Sequence, residues 1–186
     1  MPRREKRRQK TSSDLPQVPP IEGRAWRFGD NISTDDIISA AHLTSLNLDE
    51  IAPYAFETIR PDFAKGVQPN DFVVGGHAFG IGSSRESAPG VLRALGVGAV
   101  LAASFARIFF RNAFNLGFPA IEVPALASDP SIIQEGDTLT LKLEQGLLLN
   151  HRTQHTFQTT KIPSILLDYL RVGGAIPLLR QKLGKD

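Results

Sequence analysis

The apolar and polar positions of this chain change period along its length, and each change predicts an element. Residues 24–28 (Arg-Ala-Trp-Arg-Phe) alternate and predict a strand at the start of the folded part. After it, 48–56 predict one or two short helical turns broken by Pro53, and 60–66 carry the chain back toward Asp71. Asp71-Phe72-Val73-Val74 is a short β-branched run stopped by Gly75-Gly76, the pattern of a buried strand. Residues 91–95 are helical in character, with Gly96 suited to the C-cap. The stretch 96–103 is almost continuously apolar, which predicts a strand covered on both faces. A helix over 105–116 follows, with Ser104 as its cap and Gly117 as its stop, and 119–123 resume strand character. From Asp137 the period becomes two: 137–143 alternate strictly, Gln145-Gly146 marks a turn, 147–149 start the return strand and 151–157 stay extended. A last helix over 162–172, with Pro163 in its first turn, leads through Gly173-Gly174 into a short amphipathic tail. Helices and strands alternating ahead of a β-meander predict an α/β fold, and no internal repeat is visible.

Composition narrows the classes. A chain of 186 residues, 41% hydrophobic and 22% charged, suits one soluble domain with a sizeable core. With no cysteine, disulfides and thiolate metal sites are excluded, so this chain is not expected to hold an iron–sulfur cluster. The longest apolar stretch, 94–106, is too short to span a bilayer and is flanked by Arg93 and Arg107, so no membrane partner is expected. Charge is uneven: residues 1–20 carry six basic residues against two acidic ones, leaving 15 basic and 17 acidic residues for the rest. The high isoelectric point therefore belongs to a tail. Residues 1–20, with Pro16, Pro19 and Pro20, read as a disordered basic extension to a domain over 21–186. The tail has no apolar run of a secretory signal, and a cytoplasmic location is expected. A nucleic-acid-binding arm is the alternative reading of the tail, and the less expected one.

Chemistry concentrates in 75–89, Gly-Gly-His-Ala-Phe-Gly-Ile-Gly-Ser-Ser-Arg-Glu-Ser-Ala-Pro. Two glycines, two hydroxyls and a fixed cation sit where a strand hands over to a helix. Unpaired backbone N–H groups at such a junction favour an anion. Gly80 and Gly82 let it approach, and the Arg85 guanidinium offers a planar fork for carboxylate or phosphate. On local grounds the serines read equally well as helix caps. The stretch is neither a dinucleotide fingerprint, because Arg85 stands where a third glycine is needed, nor a Walker A loop, because no lysine follows the second glycine. Upstream, 29–36 form a turn-rich loop in which Thr34 or Asp35 suits a helix cap. Asp35 with Asp36, and His151 with His155, each lack a third metal ligand, so no metal site is expected.

Three blocks in order, 29–38, 79–89 and 104–117, resemble the mobile swivel domain of the aconitase superfamily. As a free-standing chain, the sequence is most similar to the small subunits of 3-isopropylmalate dehydratases. The likeness runs from about Gly23 to about Val172 and departs from the usual pattern at Ile81, commonly Cys, and Ser87, commonly His. It implies a three-layer β/β/α swivel fold, into which the predicted elements fit. It implies Ser83 as the catalytic base in alkoxide form and Arg85 as a carboxylate clamp. Asp35 would orient Arg85 or a substrate hydroxyl, with Ser84, Gly82 and Thr34 binding substrate. Residues 39–47 occupy the position of the substrate-discriminating loop, with His42, Leu43 and Thr44 facing the substrate branch. Relatives that read an extra carboxylate tend to place Arg just after this leucine; here Thr44 stands there, and no Lys or Arg occurs from Phe28 to Ile59. An apolar branch on a 2-hydroxy dicarboxylic acid is therefore expected. The resemblance also implies a [4Fe–4S] cluster on a separate large subunit, without which the chain is inactive. Methylmalate derivatives, homoaconitate or aconitate as substrates, or a non-catalytic anion-binding module, are the alternatives.

Overall fold

The computed structural model of the chain describes residues 15–183. Its centre is a pair of strands buried on both faces, β2 (Phe72–Val74) and β3 (Ala99–Ala102), with every residue in both shielded from solvent. Such strands need cover on two sides, and their apolar runs explain it. They belong to one seven-stranded sheet of order β4-β3-β2-β1-β5-β6-β7, where β1 is Ile21–Arg27, β4 is Ala120–Glu122, β5 is Thr138–Lys142, β6 is Leu147–Asn150 and β7 is His155–Gln158. β1 to β4 run parallel, with Trp26 beside Val73 and Val73 beside Val100. From β1 onward the pairing turns antiparallel, Gly23 opposite Leu139 and Leu141 opposite Leu148.

The sheet folds over on itself. Leu139, Leu141 and Leu148 of the antiparallel half join the same core as Val73 and Val100, and the Thr160 N–H, just past β7, donates to the Glu122 carbonyl on the β4 edge at 2.9 Å. Helices supply the remaining layer: α4 (Ser87–Ala94) and α5 (Arg107–Asn115) bury Val91, Leu92, Phe109 and Phe114 in that core. This gives the expected three-layer β/β/α arrangement. Between β1 and β2 lie single helical turns, α1 (Thr34–Ile37), α2 (Leu48–Ile51) and α3 (Phe63–Gly66); α6 (Ala125–Ser128) follows β4, and α7 (Ser164–Val172) and α8 (Ala175–Leu183) close the chain.

Two expected caps differ. α1 is capped by Ser33 rather than Thr34 or Asp35, in a reciprocal box with Asp36, because Thr34 is needed elsewhere. α5 starts at Arg107 without a side-chain cap; Ser104 instead accepts the Ala78 N–H on its hydroxyl at 2.9 Å and the Phe79 N–H on its carbonyl at 3.0 Å. Pro163 stands just ahead of α7 as its N-cap. Residues 1–14 of the predicted basic extension lie outside the described residues. Within that predicted extension, Val18 packs against the core and donates its N–H to Glu144 at 3.1 Å. Among the described residues no helix is long and apolar enough to cross a membrane.

Asp71 fixes how β1 meets β2. Its buried carboxylate accepts from the backbone N–H of Arg24 (2.9 Å) and Gln68 (2.9 Å), the Trp26 indole (2.9 Å) and the Arg24 guanidinium (3.3 Å). Burial acts to raise its pKa, but these donors outweigh it and hold the carboxyl below the ordinary value. Asp71→Ala leaves buried donors unpaired and is expected to cost about 3 kcal/mol at pH 7, a Tm fall on the order of 6–12 °C for a chain of this size. Because the folded pKa is depressed, the wild type holds this stabilisation above the unfolded value near 3.9 and loses it as pH falls through the folded value. Thermal melts of both proteins should therefore converge in strong acid; a gap that persists there assigns Asp71 a packing role instead.

Candidate active site

The three sequence blocks meet at one place. The turn over 29–34 lies along the start of the glycine-rich loop: Gly76 N–H donates to the Gly29 carbonyl (3.0 Å), Asn31 N–H to the His77 carbonyl (2.8 Å) and His77 N–H to the Asp30 carboxylate (2.7 Å). Further on, the Gly80 and Ile81 N–H groups share the Ile32 carbonyl (2.7 and 3.2 Å), and Thr34 N–H donates to the Ile81 carbonyl at 2.8 Å. From the other side, the loop into α5 holds Ala78 and Phe79 through Ser104, and Ala106 N–H donates to the Phe79 carbonyl at 2.9 Å. Phe79, Phe105 and Phe109 pack as one aromatic cluster beneath.

Two glycines are required here. Gly80 has φ +82° and lies so close over Phe109 that a Cβ would come within 2.3 Å of that ring; Gly82 has φ +104° and faces Thr34. Ala78 also adopts a left-handed φ of +53°. It is a non-glycine outlier held by the surrounding hydrogen bonds.

The reactive groups stand on this frame. Gly82, Ser83 and Ser84 are exposed, ahead of the first turn of α4, whose N-cap is Glu86. Ser83, Ser84 and Ser87 are thus not its caps. Thr34 is buried, and its hydroxyl oxygen accepts the Ser83 N–H at 3.2 Å while lying 3.3 Å from the Ser83 hydroxyl. Either hydroxyl can donate to the other while Ser83 is protonated, whereas a deprotonated Ser83 Oγ can only accept and makes the Thr34 O–H the donor. Thr34 thus supports Ser83 from beneath rather than lining the open face. Among the described residues the N–H groups of Gly82, Ser84 and Arg85 have no partner. Arg85, largely covered, is bound through one terminal nitrogen to Asp35 (2.5 Å) and to the Ile38 carbonyl (3.4 Å), leaving Nε and the other terminal nitrogen open. A serine oxygen, unpaired backbone donors and a positioned guanidinium on one short loop are the groups that bind a carboxylate and stabilise an oxyanion beside it.

Residues 42–46 follow directly from α1. His42 is engaged, its Nε2 2.5 Å from Glu57 and its ring stacked on Tyr54 with centroids 3.9 Å apart. Leu43, Thr44 and Leu46 are exposed, Leu46 completely. The structure adds residues that sequence reasoning missed. Asn112 on α5 donates to the Ser84 carbonyl at 3.2 Å, and Asp30 and Ser104 pin the loop from opposite sides. Asn112 had one signal, a polar residue on an amphipathic helix inside the third block. Arg111 and Arg107, one turn apart and both exposed, make no ion pair with any described residue.

The family model for the aconitase C-terminal domain matches residues 32–126, the span from the Thr34 turn through β4 that builds this site. The chain belongs to the aconitase C-terminal domain family. Similar proteins include small subunits: the isopropylmalate/citramalate isomerase small subunit of Methanocaldococcus jannaschii is 41% identical over 166 residues, 89% of this chain and 97% of the relative. The 3-isopropylmalate dehydratase small subunit of Methanosarcina mazei is 44% identical over 161 residues (87% and 97%), and that of Aquifex aeolicus 44% over 164 residues (88% and 96%). A crystal structure of 3-isopropylmalate dehydratase from Methanocaldococcus jannaschii matches the fold with a TM-score of 0.83 at 33% identity, covering 89% of this chain and 96% of that one.

The close approach at Gly80 is testable. Gly80→Ala imposes both a positive φ and contact with Phe109, and is expected to destabilise by about 1–3 kcal/mol. Gly29→Ala, where an added Cβ meets nothing within 4 Å, serves as control and is expected to stay near wild type in the same melts. Equal Tm values for the two variants would remove the steric argument for Gly80.

Proposed function

We propose that this chain is the small subunit of a hydro-lyase that interconverts 2-isopropylmalate and 3-isopropylmalate by dehydration and rehydration, as in leucine biosynthesis, acting in the cytoplasm with a large subunit. One observation carries the reading: exposed Ser83, the unpaired backbone N–H groups around it and Arg85, turned by Asp35, stand on one short loop inside the span that the family model covers. The names of the relatives supply the reaction.

In this reading Arg85, turned by Asp35, clamps a substrate carboxylate with its two open nitrogens, and Ser84 donates to the same group. The Thr34 O–H and the N–H groups of the loop stabilise Ser83 Oγ as an alkoxide. That oxygen takes the proton from the carbon beside the clamped carboxylate, becoming O–H. The electron pair left behind forms the C=C bond as hydroxide leaves the neighbouring carbon. For the isomer, hydroxide adds to the carbon that lost its proton, and Ser83 gives its proton to the carbon that lost hydroxide, which restores the alkoxide. Nothing in this chain fits an iron–sulfur cluster: it has no cysteine, and among the described residues no three His, Asp or Glu side chains come together. The reading therefore assigns the [4Fe–4S] cluster to the large subunit, and the steps drawn here use this chain's residues alone.

The substrate branch follows from the loop after α1. No Lys or Arg occurs from Phe28 to Ile59, and His42 is engaged by Glu57 and Tyr54, so the loop offers no free cation to a distal carboxylate. Exposed Leu43 and Leu46 suit an isopropyl group, worth roughly 0.8 kcal/mol per buried carbon.

Activity of the purified chain, assayed on 2-isopropylmalate with and without a co-expressed large subunit, tests the reading: turnover is expected only with the partner. In the reconstituted enzyme, Ser83→Ala should lower kcat by roughly 10²–10⁴-fold with assembly intact. Arg85→Lys should lower kcat/KM at least ~10-fold although charge is kept. Near-normal kcat in the first variant would remove Ser83 as the base. For specificity, Thr44→Arg is expected to weaken isopropylmalate turnover and to gain measurable activity on a homoaconitate-type acid. A wild type that already favours the tricarboxylic substrate would overturn the assignment of an apolar branch.

A further inference from the structure

α5 separates two surfaces. Asn112 reaches the Ser84 carbonyl, whereas Arg107, Phe110 and Phe114, spaced at three and four residues, turn to a groove. The floor of this groove is β4 at the sheet edge, and its far wall is the 160–163 segment that crosses that edge after β7. Its volume is about 220 Å³; of the residues that build the Ser83 site only Phe105, from the aromatic cluster beneath the loop, borders it, and neither Ser83, Ser84 nor Arg85 does.

The lining has a definite chemistry. Phe105, Phe110 and Phe114 with Ile121 and Ile162 make an apolar bed, and three charges stand at it: Arg107, Lys161 and Glu122. Arg107 and Lys161 are exposed and make no hydrogen bond or ion pair with any described residue. Among the described residues the Glu122 carboxylate receives only a long 3.5 Å contact from the Thr160 hydroxyl. The groove thus carries one uncompensated positive charge above aromatic rings. A cation pair beside an apolar bed recognises a carboxylate joined to a hydrocarbon branch. Size agrees with this: pockets for drug-sized ligands run to roughly 300–1,000 Å³, and a groove of about 220 Å³ suits a smaller metabolite.

We propose that this groove is a second ligand site, for a small carboxylate bearing an apolar branch of about a leucine's size. Its carboxylate sits at Arg107 and Lys161 and its branch on Phe110 and Phe114. The proposal does not depend on the reaction assigned to Ser83. Two sources share the chemistry: apolar α-amino acids, whose ammonium would also meet Glu122, and the corresponding 2-hydroxy acids.

Calorimetric titration of the purified full chain distinguishes them, using leucine, 2-hydroxy-4-methylpentanoate, leucinol and acetate. Saturable binding is expected for at least one of the two branched acids, with none for leucinol, which lacks the carboxylate, or acetate, which lacks the branch. Tighter binding of leucine identifies the amino acid as the ligand; tighter or equal binding of the hydroxy acid identifies the carboxylate and branch alone. Arg107→Ala and Lys161→Ala, both at exposed positions that folding does not need, should each weaken binding at least about tenfold, and Ser83→Ala should leave it unchanged. Absence of saturable binding by both acids, binding that survives both groove substitutions, or binding lost in Ser83→Ala would overturn the proposal.

Discussion

Everything the site does depends on the backbone seam between the turn over 29–34 and the loop over 76–83. Hydrogen bonds running from Gly76 to Thr34 fasten two loops that are far apart in the chain, and the aromatic cluster under Gly80 sets the height at which they meet. A loop holding Ala78 in the left-handed region does not keep one conformation by itself, because that outlier costs of order 1–3 kcal/mol and the two glycines add backbone freedom. The seam supplies the missing constraint. Asp30 and Ser104 grip the loop from opposite sides, so exposed Ser83 and half-buried Arg85 are presented from a fixed frame. Preorganised donors are worth most when they need not be rearranged during reaction.

The same frame explains the division of labour between subunits. In the proposed reading, a site with an exposed serine and two open guanidinium nitrogens, in a chain without cysteine, would be half of a reaction centre that holds a carboxylate and moves a proton. The covering surface and the departure of hydroxide would then belong to the proposed partner. Asp35 connects this half-site to specificity, since it turns Arg85 at one end of α1 while the chain beyond α1 leads through Ile38 into the loop of Leu43 and Thr44.

How much of this was readable in the sequence varied with the range of the interaction. The buried strands were legible because Phe72-Val73-Val74 and Ala99-Val100-Leu101-Ala102 carry their burial in composition alone, and the meander because its alternation is strict from 137 to 143. The serine–arginine loop was legible from its residue types and its family likeness. The supports were not. Thr34 and Ser83 are 49 residues apart, and nothing local in either shows that one oxygen will lie under the other. Ser104 was misassigned for a related reason: a serine ahead of an apolar helix is a good cap, but the Ala78 and Phe79 N–H groups competed for it and won. His42 was expected to face the substrate branch, and its engagement was not legible because Glu57 and Tyr54 come more than ten residues later.

The central claim is that Thr34 acts through Ser83, and a double-mutant cycle on the reconstituted enzyme tests it most directly. kcat is measured for wild type, Thr34→Val, Ser83→Ala and the double variant. A lost hydrogen bond to a charged oxygen predicts that Thr34→Val alone lowers kcat by roughly 10–100-fold. In the Ser83→Ala background the same change should add nothing, because the oxygen it supports is gone. Losses that multiply in the double variant would mean that Thr34 serves catalysis independently of Ser83, and the account would fail at its foundation.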